Sequence, residues 1–66
     1  YYNTIILDKL RELGEVKTVE LIGNLMRDIH LFDSIFMYLV ERLIELGDIV
    51  VIKREERLWK SIIKVV

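Results

Sequence analysis

The sequence predicts an α+β domain in which three helices precede a C-terminal β-hairpin, and two observations carry that prediction. Leu39, Val40, Leu43 and Leu46 recur at helical spacing and stop at Gly47, a residue suited to the left-handed conformation that ends a helix. Two β-branched runs follow, Ile49 to Ile52 and Leu58 to Val66, on either side of the charged stretch Arg54-Glu55-Glu56-Arg57. At 66 residues there is room for one domain, spanning residues 1–66, whose stability must come from a dense core or a partner. Hydrophobic residues make up 53% of the chain and mean hydropathy is +0.33, so some apolar side chains are expected to remain on the surface despite 32% charged residues.

The first helix is expected from a cap at Asn3 or Thr4 to Leu13, with Ile6, Leu10 and Leu13 on one face and Asp8, Lys9, Arg11 and Glu12 on the other. Gly14 ends it, and Glu15 to Lys17 suit a short strand. Thr18 is the expected cap of a second helix reaching about Met26, with an apolar stripe of Ile22, Leu25 and Met26 that Val19 begins. Arg27 to Phe32 form a turn. Asp33 or Ser34 caps the third helix, with Phe36, Leu39, Val40, Leu43 and Leu46 inward and Ser34, Tyr38, Glu41, Arg42 and Glu45 outward. The two helix ends share a pattern, Leu10 to Val16 matching Leu43 to Ile49, which Schellman caps explain without a domain duplication.

A short loop centred on Glu55 and Glu56 sets Lys53 opposite Leu58, Ile52 opposite Trp59, Val51 opposite Lys60 and Ile49 opposite Ile62. In that register Val50, Ile52, Trp59, Ser61 and Ile63 cover the helices. The other face mixes Lys53, Lys60 and Lys64 with Ile49, Val51, Leu58 and Ile62, more apolar than a bare solvent face.

Leu39 to Ile49 resemble the end of a recognition helix running into a wing, and Thr18-Val19-Glu20-Leu21-Ile22 resemble the start of the helix before it. The order of elements resembles the winged helix-turn-helix superfamily over nearly the whole chain. That resemblance implies a small winged-helix fold and a role in binding, most often of DNA in transcription or replication. One departure is the turn Arg27 to Phe32, which lacks glycine and is longer than the tight connection of that motif. The resemblance would place Lys53, Arg54, Arg57 and Lys60 on phosphates, with Ser34, Tyr38 and Arg42 near the groove.

The local charges point elsewhere. From Asp33 to Leu46 the only cation is Arg42, against Asp33, Glu41 and Glu45, whereas residues 48–66 hold five cations and three acids. A net charge of −1 predicts weak phosphate binding by a monomer. The alternative is a protein-interaction module within a larger assembly, using Ile35, Tyr38, Glu41 and Glu45 on the third helix or pairing a partner strand with the hairpin edge. Tyr1, Tyr2, Ile5, Ile35, Met37 and Tyr38 are candidates for exposed apolar contact, including a homodimer.

His30 between Asp28 and Asp33 is the only hint of acid-base or metal chemistry, and one histidine in a turn falls short of the convergent ligands such a site requires. No glycine-rich phosphate loop or activated nucleophile is visible, so neither an enzyme nor a cofactor nor a small-molecule substrate is expected. Cysteine is absent, which excludes disulfides and thiolate metal sites. The longest apolar stretch, Ile35 to Val40, is far shorter than a membrane span, and the N-terminus does not resemble a signal peptide, so a cytoplasmic location is expected. The start at Tyr1 suggests a piece of a longer protein. Lack of alanine, glutamine, proline and cysteine alongside abundant isoleucine, lysine and glutamate fits a thermophile.

Overall fold

The computed structural model describes Tyr1–Val66 as α1 (Tyr2–Leu13), β1 (Val16–Lys17), α2 (Thr18–Asp28), α3 (Asp33–Glu45), β2 (Ile49–Lys53), a 3-10 turn (Leu58–Lys60) and β3 (Ile62–Val65). The strands form one antiparallel sheet in the order β1-β3-β2, so β3 is central and β2 has a free edge. This is a winged-helix-like α+β arrangement, with β2, the connecting tip and β3 as the wing.

One core joins all the layers. Ile6 and Leu10 of α1, Leu21, Ile22 and Leu25 of α2, and Phe36, Val40 and Leu43 of α3 close over Ile49 and Ile63 of the sheet. In α2 the buried stripe is Thr18, Leu21, Ile22 and Leu25, an i, i+3, i+4, i+7 series. Val19 and Met26, expected inward, lie on the adjacent flank and are 45% and 40% exposed. Leu46, also expected inward, is 61% exposed because it is the C-cap of α3 and lies on the flank of the Phe36, Val40 and Leu43 stripe.

The helix starts differ from expectation. All three N-caps, Tyr1, Lys17 and Phe32, lack a side-chain cap bond, so Asn3, Thr4, Thr18 and Ser34 fall inside the helices. Asp33 is helical too, and its carboxylate accepts from the Ser34 amide at 2.8 Å within the first turn. The ends of α1 and α3 follow the glycines, whereas α2 runs to Asp28, two residues past the expected Met26, and ends at an extended Ile29. At α3, Gly47 (φ 87°) donates to Ile44 O at 3.1 Å and Asp48 donates to Leu43 O at 2.9 Å, the paired bonds of a Schellman motif. At α1, Gly14 (φ 80°, ψ −121°) makes the single bond to Leu10 O at 2.8 Å, so the shared sequence pattern yields two different caps.

The hairpin register is offset from expectation. Ile49 lies opposite Val65 rather than Ile62, Val51 opposite Ile63, and a bulge between Val51 and Lys53 puts Lys53 opposite Ile62. The cause is the 3-10 turn at Leu58–Lys60, which lengthens the loop and delays β3 until Ile62. An odd offset of three residues exchanges the faces of β2. Ile49 and Val51 therefore point to the helices, while Val50 and Ile52 are 41% and 44% exposed beside Lys64 and Ile62.

Ser61 fastens that loop. Its buried hydroxyl accepts from the Glu55 amide at 3.0 Å and donates to Arg57 O at 3.2 Å. Its carbonyl accepts from the Thr18 amide at 3.0 Å and the Thr18 hydroxyl at 3.2 Å. The wing tip is thereby tied to the start of α2. No helix is long and apolar enough to cross a membrane.

Candidate binding surfaces

The exposed face of α3 and the wing converge on a cleft of about 290 Å³, lined by Glu41, Ile44, Glu45, Val51, Arg54 and Leu58. The carboxylates are there because Glu41 and Glu45 stand one turn apart on α3, and Arg54 because the offset register brings the start of the tip beside the helix. Arg42 Nη1 is 3.7 Å from Glu45 Oε2, so the one cation of α3 is engaged on its own helix. Glu41 takes part in none of the five ion pairs.

Ile35 and Tyr38 are 40% and 61% exposed toward the start of the same helix, and Ser34 is exposed before them. Ile5 and Met37 are half-buried against the core instead. Tyr1 and Tyr2, 89% and 39% exposed, stack edge to face with ring centroids 5.2 Å apart.

The residues expected on phosphates do not form one surface. Lys53 Nζ is 3.7 Å from Glu55 Oε1, while Arg54 and Arg57 at the tip are exposed and engaged in no ion pair. Lys60 sits in the 3-10 turn on another side of the wing, in a cleft of about 390 Å³ shared with Lys17, Val19, Glu55 and Trp59. Its ammonium lies 5.2 Å from the centre of the Trp59 ring. The α3 cleft itself holds Glu41 and Glu45 against Arg54 alone, a local excess of negative charge that disfavours a phosphate and favours a cation.

A larger cleft of about 450 Å³ opens beside α2, and Val19, Ile22, Met26, Met37 and Trp59 give it an apolar lining with Asp33 at the rim. Trp59, expected inward, is 42% exposed here, because residue 59 belongs to a turn packed on α2 rather than to a strand. The signal for this surface lay in α2, whose Val19, Ile22, Met26 series forms a second stripe overlapping the buried one. A helix with two apolar stripes has more than one core needs.

The free edge of β2 is the third surface. Val66 donates to Asp48 O at 3.1 Å, which fixes the alternation so that Val50 bonds to Lys64 and the amides and carbonyls of Ile49 and Val51 face outward. The bulge and Lys53 interrupt this edge at the tip. His30 is exposed after α2, and no group of three or more histidine, aspartate or glutamate side chains is placed to hold a metal ion. No family model, curated protein or solved structure matches this chain.

Proposed function

We propose that this chain is a non-enzymatic binding module of the winged helix-turn-helix superfamily that docks a segment of a protein partner against α3 and the wing. The observation that carries this reading is the pair Glu41 and Glu45 in the cleft that would otherwise face a polyanion, beside aliphatic Ile44, Val51 and Leu58. A partner segment with a lysine or arginine among aliphatic residues satisfies both features, and Ile35 and Tyr38 extend the contact along α3. Surface composition supports a partner as well: twelve large hydrophobic side chains are exposed, against ten in the core.

A second reading, association with DNA in transcription or replication, is favoured by Arg54 and Arg57, exposed at the tip without carboxylate partners. Ser34, Tyr38 and Arg42 would lie near the groove and Lys53 and Lys60 near phosphates. Titration with random-sequence duplex at about 50 mM and about 200 mM salt separates the two readings. Under the first, the folded domain shows no micromolar affinity at the lower salt, and a leucine-lysine peptide perturbs the amide resonances of Glu41, Glu45 and Arg54. Micromolar DNA binding that falls steeply with salt and disappears in Arg54→Glu/Arg57→Glu would make the second reading the correct one.

A further inference from the structure

The cleft beside α2 has features that the protein-partner reading of the α3 face does not use. Val19, Ile22 and Met26 line it at i, i+3 and i+7, a strip about 10 Å long at the helical rise per residue. Trp59 closes one wall and also lines the neighbouring cleft with Lys17 and Lys60, so the two are continuous through Val19 and Trp59. Methionine and tryptophan walls are the adaptable, large-area surfaces that anchor binding partners.

Gly23 is the unexpected wall residue. It sits in the interior of α2, where glycine is the least favourable residue after proline, and a Cβ added there would meet nothing within 4 Å. Packing within the chain therefore gives no reason for its lack of a side chain. A backbone passing close to α2 at that point does.

The ends of the groove differ in charge. Asp33 stands at the end formed by the start of α3 and makes no ion pair, and at the other end Lys17 and Lys60 make none. Glu55, also at the lysine end, is engaged with Lys53 at 3.7 Å.

We infer that this groove is the docking site for an amphipathic helix of a partner protein, whose apolar stripe is bounded by a basic residue at one end and an acidic residue at the other. The helix lays its stripe across Val19, Met26 and Trp59, passes its backbone over Gly23, and meets Asp33 with its cation and Lys17 with Lys60 with its carboxylate. A polyanion or an anionic lipid surface would be repelled at Asp33, and a uniformly basic helix at the lysine pair. The surface is distinct from the α3 cleft and does not depend on it.

Trp59 is the only tryptophan, so its emission reports directly on the groove. Three stapled helical peptides with one leucine stripe serve as probes: one with glutamate and lysine at opposite ends, one with glutamate at both, and one with lysine at both. The bipolar peptide is expected to shift Trp59 emission to the blue and saturate, binding about tenfold more tightly than either like-charged peptide. Met26→Glu abolishes the shift, and Gly23→Ala weakens binding about tenfold while the free domain remains folded by circular dichroism. The leucine-lysine peptide of the α3 cleft does not displace the bipolar peptide, so failure at one surface is distinguishable from failure at the other. Equal affinity for the three peptides, no saturation below about 1 mM, or full binding by folded Met26→Glu overturns the proposal. So does a Trp59 shift that follows protein concentration alone, which would assign the groove to a second copy of this chain.

Discussion

Replacing Ser61 with alanine tests whether one hydroxyl holds the wing in place. Ser61 is fully buried, and its Oγ accepts from the Glu55 amide at 3.0 Å and donates to Arg57 O at 3.2 Å. Removing it deletes both bonds but leaves the Ser61 carbonyl, which receives the Thr18 amide and hydroxyl, untouched. A net hydrogen bond contributes about 0.5–1.5 kcal/mol. Glu55 and Arg57 are exposed, so water replaces part of what is lost, and a destabilisation of about 1–2 kcal/mol follows. In a domain of this size that is a fall in Tm of roughly 5–15 °C. Urea denaturation followed by circular dichroism gives the free energy, with an unchanged m-value. Hydrogen exchange at the Glu55 amide should accelerate more than at the core amides of α1. Thr18→Val provides the scale: it removes one of two donors to the same carbonyl and should cost less than Ser61→Ala. A Ser61→Ala domain within about 0.5 kcal/mol of the parent, the range of ordinary surface changes, would refute the fastening role.

Three further outcomes follow from the fold. Gly23→Ala should raise stability by about 0.5–1 kcal/mol in thermal melts, since the new methyl meets nothing and the helix propensity improves. Gly47→Ala should lower it by about 1–2 kcal/mol, because φ of 87° is strained for any residue with a Cβ, and urea titration of the variant measures the loss. Exchanging Glu41 and Glu45 together for lysine removes both carboxylates from the α3 cleft, and retention on a duplex-DNA column at low salt should then exceed that of the parent.

The helices were legible because each carries its own period, and α1 and α3 also carry a glycine stop; α2 has none and runs past the expected Met26 to Asp28. Ile6, Leu10, Phe36, Val40 and Leu43 were placed in the core from spacing alone, and both positive-φ glycines were identified as helix ends. The starts were not, since Asn3, Thr4, Thr18 and Ser34 have the chemistry of caps but none of them acts as one here. Thr18 is diverted to Ser61 O, a partner 43 residues away that no local rule anticipates.

The wing shows the same division at larger scale. Two β-branched runs around a charged stretch determined that a hairpin forms, and the glycine before them determined where it leaves α3. Which residues face the core was decided by the 3-10 turn at Leu58–Lys60 and the Ser61 bonds that close it, because an odd change in loop length exchanges the faces of β2. The candidate sites inherit that decision: Arg54 arrives beside Glu41 and Glu45, Lys60 is carried to the other side, and Trp59 is left half-exposed over α2. The sequence by itself determined the three helices and the hairpin, their order and most of the core, but not the 3-10 turn at Leu58–Lys60, since the former depend on residues close together in the chain. Only the tertiary structure decided the register and the company each charge keeps, since these depend on contacts between residues distant in the chain.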